Sequence, residues 1–337
     1  MRAGITSSND CYSSIPFTYG DETKLQPIRA IDLQKTFIRE PLWAVEQIIP
    51  EGLSVLAAPP KSGKSFLVLQ MSLAVSSGKP FLNQETLEGP VLYCALEDSW
   101  SRLVGRIGAL LEHSVTIPEE LHLLNELPRL DEGGLSVLGE WMEVNRPRMV
   151  IIDTWGKTKP TTNSRRENAY ETDVRVVSEV KKLADCHECS ILLVHHLRKG
   201  GAKDSDWLES LSGSMGLGGT ADAILSLVRN RGSKQAILKR SGRDLEIEDD
   251  LALEWLEPGW KFSGEASEVQ MTQERRAIVS LIREAKEPVN YGFVADVLGK
   301  NRNTTKSLIR KLLLAGVLRA TSRGEFTLSD EYQTKEL

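Results

Sequence analysis

Cysteine is scarce in this sequence. Four thiols in 337 residues, Cys11, Cys94, Cys186 and Cys189, imply no disulfide framework, and a reducing compartment keeps such residues as thiols. Long hydrophobic runs are missing too. No stretch reaches the roughly 18 uninterrupted apolar residues that a membrane span needs. The polar N-terminus from Met1 to Gly20 has no apolar core like that of a signal peptide. The expected compartment is therefore the cytoplasm, with no membrane partner. Nor is there an excess of positive charge: 42 Lys and Arg against 47 Asp and Glu leave a net charge of −5. Any contact with nucleic acid must come from local basic patches. Internal repeats and low-complexity tracts are absent as well. What is present is ordinary for a globular chain, 40% apolar and 26% charged. The length fits one large α/β domain with a smaller satellite.

Residues 1–42 lack sustained periodicity and read as an N-terminal leader. From Trp43 onward the chain alternates. An apolar run Leu53–Ala57 is followed by a helical period Ser65–Ser76, a run Val91–Leu96 and a helix from near Ser99. Then come a strand Met149–Ile152, a helix Glu171–Cys186 and a strand Ser190–Val194. This rhythm predicts an α/β domain over 43–262 with a mostly parallel sheet flanked by helices. Ala223–Val228 and Ala236–Lys239 have no crossover helix between them, which predicts an antiparallel hairpin at the sheet edge. Gly259–Ser267 reads as a linker, with a boundary segment over 263–270. Over 271–337 three helices (Thr272–Ala285, Tyr291–Leu298, Arg302–Leu314) precede a hairpin Val317–Leu328 that turns at Arg323-Gly324. That order is the one a winged helix-turn-helix follows.

The decisive segment runs from Leu53 through Pro59-Pro60-Lys61-Ser62-Gly63-Lys64-Ser65 to Phe66, with G-K-S set between a buried strand and a helix. In that context it reads as a phosphate-binding P-loop for ATP. Backbone N–H groups of Pro60–Phe66 (proline excepted) face the phosphates. Lys64 supplies positive charge to the β and γ groups, and Ser65 offers a hydroxyl to Mg²⁺. The first glycine of the usual pattern is Ala58, a departure that removes backbone freedom at the start of the loop. Arg148–Asp153 is an apolar strand ending in a carboxylate, so Asp153 is expected to hold the magnesium shell through water. Val91–Leu96 also ends in acid. Glu97 there can reach the water that attacks the γ-phosphate, although Glu97 and Asp98 could instead cap the next helix, as could Ser99. His195 and His196 close a further strand and are suited to sensing the γ-phosphate, with His195 the preferred residue.

These pieces, with Leu96-Glu97-Asp98, Val150–Thr154, Val194-His195-His196 and the Gly-rich segment 213–222, resemble the RecA-like hexameric helicases of the plasmid RepA type, related more distantly to DnaB and KaiC. The resemblance spans about residues 43–245. It implies that Glu97 is the catalytic glutamate, that His195 or His196 is a sensor, and that subunits form a ring. It further implies an arginine inserted from the neighbouring subunit, for which Arg240 and Arg243 are the candidates; spacing does not choose between them. In such rings the loops after the third and fourth strands line the channel. Here they carry Lys157, Lys159, Arg165 and Arg166, and then Arg198 and Lys199, as candidate contacts to single-stranded DNA.

The C-terminal segment Lys300–Gly324 holds seven basic residues and no acidic one. Arg302, Lys306 and Arg310 lie on the would-be recognition helix, with Arg319–Arg323 as wing. Duplex DNA and a protein partner both remain open for it. Cys186 and Cys189 have Cys-x-x-Cys spacing, but they straddle a helix end and a core strand, and no second such pair exists; zinc is not expected. The expectation is a homo-oligomeric, hexameric ATPase that moves on single-stranded DNA in plasmid or mobile-element replication, with a separate primase or loader. A non-translocating DNA-bound ATPase switch and a filament-forming recombinase-like ATPase are the alternatives.

Overall fold

The computed structural model describes residues 29–33, 40–111, 116–160, 169–197, 219–230, 232–245, 250–285, 287–322 and 324–329. The candidate DNA residues Arg165, Arg166, Arg198 and Lys199, the Gly-rich segment up to 218, the turn residue Arg323 and most of the leader lie outside them. The described residues form two compact units, one ending at Phe262 and one comprising 249–252 with Ser263 onward.

In the larger unit, a helical turn α1 (Ala30–Leu33) and a short antiparallel pair, β1 (Trp43–Val45) and β2 (Ile49–Pro50), precede the main sheet. That sheet is built from β3 (Gly52–Ala58), β4 (Val91–Ala95), β5 (Leu121–Leu124), β6 (Met149–Asp153), β7 (Ser190–His196), β8 (Ala223–Arg229), β9 (Gln235–Gly242), β10 (Leu251–Leu256) and β11 (Gly259–Glu265). Their order is β11-β10-β9-β8-β3-β7-β6-β4-β5. From β8 to β5 all neighbours are parallel, and β9 turns back antiparallel to β8.

Strands β3, β4 and β6 are buried along their whole length, as parallel strands covered on both faces must be. That is why each is a continuous apolar run. Helices α4 (Gly134–Asn145) and α6 (Ala169–Cys186) cover one face, where Leu138, Met142, Val177 and Val180 join alternate strand residues such as Val55, Ile152 and Leu193 in one core. Leu56, Tyr93, Ile151 and Leu192 are equally buried outside that cluster, and α2 (Lys64–Val75) packs on β4 and β6. Helix α3 (Trp100–Leu110) follows β4, and a short helix α5 (Trp155–Thr158) follows β6. Among the described residues no helix is long and apolar enough to cross a membrane.

Two expectations need correction. The β8–β9 hairpin is antiparallel but is not at the edge, because β10 and β11 extend the sheet beyond it. The linker expected over Gly259–Ser267, and over 263–270, does not exist: β11 runs to Glu265 and α7 (Ala266–Ala285) starts at the next residue. The glycines and serines there resemble a linker, but Trp260, 2% exposed, anchors the strand.

In the smaller unit, α7 is followed by β12 (Val289–Asn290), α8 (Tyr291–Val297), α9 (Arg302–Leu314), β13 (Leu318–Ser322) and β14 (Glu325–Leu328). The three strands form an antiparallel sheet in the order β12-β14-β13. Ile278, Ile282, Val294, Ile309 and Phe326 centre its core. Asn290 and Asn301 cap α8 and α9 by accepting from Phe293 N and Asn303 N, which fixes where each helix begins.

Candidate functional site

The site forms at the carboxyl ends of the parallel strands, where such sheets leave a crevice for ligand. Strand β3 delivers the loop 59–63, and α2 begins at Lys64. Ala58 is still in extended pairing, opposite His196, and its carbonyl accepts from Leu197 N at 3.1 Å. A glycine is not needed there, which explains how the departure from the usual motif is tolerated. Gly63 is different: its φ of 92° favours glycine, and a Cβ would stand 2.9 Å from the Trp260 ring. Its carbonyl accepts from Trp260 Nε1 at 3.1 Å as well as from Leu67 N, so the indole locks the loop to the first turn of α2. Gln70 holds Trp260 in turn, accepting from its backbone N at 2.8 Å and donating to its carbonyl at 3.1 Å.

Four functional groups meet above the loop. Lys64, 6% exposed, places Nζ 3.7 Å from Asp153 Oδ1 and 3.3 Å from His196 Nε2. His196 Nε2 is also 3.3 Å from Glu97 Oε2. Tyr93 donates its hydroxyl to Asp153 Oδ2 at 3.1 Å; burial first, and Asp153 beside it second, hold that phenol well above its usual pKa and keep it a donor. Asp153 Oδ1 and the Ser62 hydroxyl are buried with no hydrogen-bond partner among the described residues. A buried carboxylate oxygen left without a hydrogen bond, next to the Ser65 hydroxyl position at a helix start, suits a hydrated divalent cation. Pro60 and Lys61 are exposed, and Ser65 and Phe66 are half-buried.

The structure decides several points that the sequence left open. Ser99 caps α3, its side chain accepting from Arg102 N at 3.4 Å. Asp98 instead pairs with Arg102 at 2.9 Å and with Arg106. Glu97 is used by neither and lies beside His196. The preference between the histidines reverses: successive strand residues point to opposite faces, and it is His196, not His195, that reaches Lys64 and Glu97.

Arg240 is corrected as a group acting on a neighbouring subunit. It is 5% exposed and donates to the Gln47 carbonyl at 2.9 Å within its own chain. Arg243 is 64% exposed and donates to the Gly219 carbonyl at 3.2 Å. Because Gly242 pairs with Ala223, which in turn pairs with Ser54, Arg243 sits at the opposite end of the sheet from its own phosphate loop. Lys157 and Lys159 are exposed after β6, and Arg302, Lys306 and Arg310 are exposed on α9.

Residues missed in the sequence complete the wall of this cavity of about 430 Å³. Phe66 meets Trp255 edge to face at 5.2 Å, and Trp255 meets Trp260 likewise. Arg106 lies over Phe66 at 5.1 Å, and Arg229 over Trp255 and Trp260 at 5.6 and 5.0 Å. Flat aromatic faces beside cations can stack a nucleobase. Arg229 ends β8 on the crevice side, so the strand-end rule that found Asp153 would have found it too.

A family model described as an AAA domain matches residues 19–202, more than half of the chain. Solved structures align at low identity. An isolated ATPase domain is 13% identical with a TM-score of 0.47, covering 61% of this chain and 82% of its own. The RadB recombinase is 18% identical with a TM-score of 0.45, covering 64% and 91%. A KaiC-like protein from Pyrococcus horikoshii OT3 is 12% identical with a TM-score of 0.46, covering 66% and 94%.

Proposed function

Since the chain belongs to this AAA-domain family and is a P-loop ATPase, we propose that it hydrolyses ATP as a ring of identical subunits, probably best tested as a hexamer, to move on single-stranded DNA as a replication helicase. One observation carries the reading: Lys64, Asp153, Glu97 and His196, delivered by different strand ends, converge within hydrogen-bond or ion-pair reach above the loop.

In this mechanism Lys64 turns its ammonium from His196 and Asp153 to the β- and γ-phosphates. Ser65 and Asp153 hold magnesium and its water shell, and when bound the ion spreads the phosphate charge. Glu97 orients the attacking water and takes its proton. His196 positions Glu97. Phe66, Trp255, Arg106 and Arg229 enclose the base. Arg243 completes the site of the neighbouring subunit, where its charge stabilises the transition state. Lys157 and Lys159 contact the DNA strand in the channel. The smaller unit is a winged helix-turn-helix, with α8 and α9 as the helix pair and β13–β14 as the wing.

The test is ATP turnover with and without single-stranded DNA, strand displacement, and solution mass with a non-hydrolysable ATP analogue. Ring-sized mass, DNA-stimulated turnover and strand separation are expected. Stimulation without separation would make the protein a DNA-bound switch, open filaments would make it recombinase-like, and a monomer indifferent to DNA would remove the motor reading.

A further inference from the structure

The strongest charge asymmetry outside the nucleotide site lies in the smaller unit, where Lys300–Gly324 carries seven basic residues and no acidic one. Helix α9 divides cleanly. Thr305, Leu308, Ile309 and Leu312 are buried, while Arg302, Asn303, Lys306, Ser307 and Arg310 are exposed. Residues 302, 306 and 310 recur every four positions, so they form one stripe, about 12 Å long at 1.5 Å per residue.

Not every cation of the segment is available. Lys300 is committed to Glu274 at 2.7 Å. Arg302 reaches Asp296 only at 3.5 Å, between side chains 72% and 67% exposed, a pairing that a phosphate readily displaces. Lys306 and Arg310 make no ion pair among the described residues. A protein-docking face keeps apolar side chains at its centre and charge at its rim. Here cations occupy the centre, and the apolar side chain on the stripe, Leu314, stands at its C-terminal end.

A helix of about 10–12 Å diameter fits the B-DNA major groove, which is about 12 Å wide. We propose that the outward face of α9 binds double-stranded DNA in the major groove, with Arg302, Lys306 and Arg310 meeting phosphates and base edges, and that it does so without ATP. The proposal rests on the winged-helix reading of this unit and is independent of the ATPase mechanism.

The experiment is fluorescence anisotropy of the full chain, without nucleotide, against a labelled mixed-sequence duplex over a salt series, with unlabelled duplex and single strand as competitors. Wild-type protein should bind the duplex, and single strand should compete poorly. In the double variant Lys306→Gln/Arg310→Gln, affinity should fall about tenfold or more and the log–log salt slope should shrink by about 2, near 0.9 for each lost phosphate contact. Thermal melting and basal ATP turnover should be unchanged, and Lys64→Ala should keep full duplex affinity. The proposal is overturned if the double variant binds as tightly as wild type or if single strand competes as well as duplex. It is equally overturned if Lys64→Ala abolishes binding. A wild-type protein that ignores duplex DNA also overturns it and leaves this face to a protein partner.

Discussion

His196 Nε2 stands 3.3 Å from both Lys64 Nζ and Glu97 Oε2, and one nitrogen cannot serve both. Lys64 only donates and an ionised Glu97 only accepts, so Nε2 either carries the proton and bonds Glu97 or offers a lone pair to Lys64. The other ring nitrogen, Nδ1, is buried without a hydrogen-bond partner among the described residues. A buried N–H costs more unsatisfied than a bare lone pair, so the proton belongs on Nε2, and the bond to Glu97 is the one made. A hydrogen bond to a charged group contributes about 1.5–3 kcal/mol, and tenfold in rate is about 1.4 kcal/mol. His196→Ala should therefore lower kcat for ATP about 10- to 150-fold, while nucleotide affinity, measured by titration with a fluorescent analogue, changes little. His195→Ala, on the opposite face of β7, should leave kcat within about threefold on the same arithmetic. Steady-state turnover of the two variants decides: normal activity in His196→Ala with loss in His195→Ala would refute the assignment.

Trans action of Arg243 predicts that Arg243→Ala and Lys64→Ala are each inactive alone, yet recover turnover when mixed, because some interfaces then pair an intact loop with an intact arginine; no recovery at any ratio would return Arg243 to an exposed turn. Trp255→Ala should raise KM for ATP by about 5- to 100-fold at constant kcat, from the 1–3 kcal/mol that base–aromatic stacking contributes, and an unchanged KM would remove the base from this wall. Burial pushes the thiols of Cys94 and Cys189 up to about 12. A thiol reacts as thiolate, present in about one part in 10⁴ at pH 8 for such a group. Folded protein should thus show iodoacetamide labelling of Cys186 before either, read by peptide mass; prompt labelling of Cys94 would contradict its burial.

Much of the crevice is legible in the sequence because a parallel strand buried on both faces must be an unbroken apolar run, and the residue closing each run faces the ligand. Lys64, Asp153 and Glu97 follow from that. The choice between His195 and His196 does not, since it depends on the pairing of β7 with β3, a relation between residues far apart in the chain. Arg240 was readable: Ala236, Leu238 and Arg240 alternate inward along β9, and a strand period of two flags it as buried. Strand β5 is only four residues long and half-buried throughout, too weak a pattern to stand out. Strand β11 was hidden because Ser263 and Gly264 read as linker, while the group that fixes it, Trp260, finds its partners at Gly63 and Gln70, nearly 200 residues away.

The central claim is that Glu97 activates the attacking water at a site where Lys64 and Asp153 hold the nucleotide. Single-turnover hydrolysis by Glu97→Gln, alongside equilibrium ATP binding, tests it most directly. Binding should stay within a few-fold of wild type while hydrolysis slows by about 10²–10⁴, the range for loss of a general base. Hydrolysis at the wild-type rate would contradict the account and leave Glu97 an exposed acid at the end of β4.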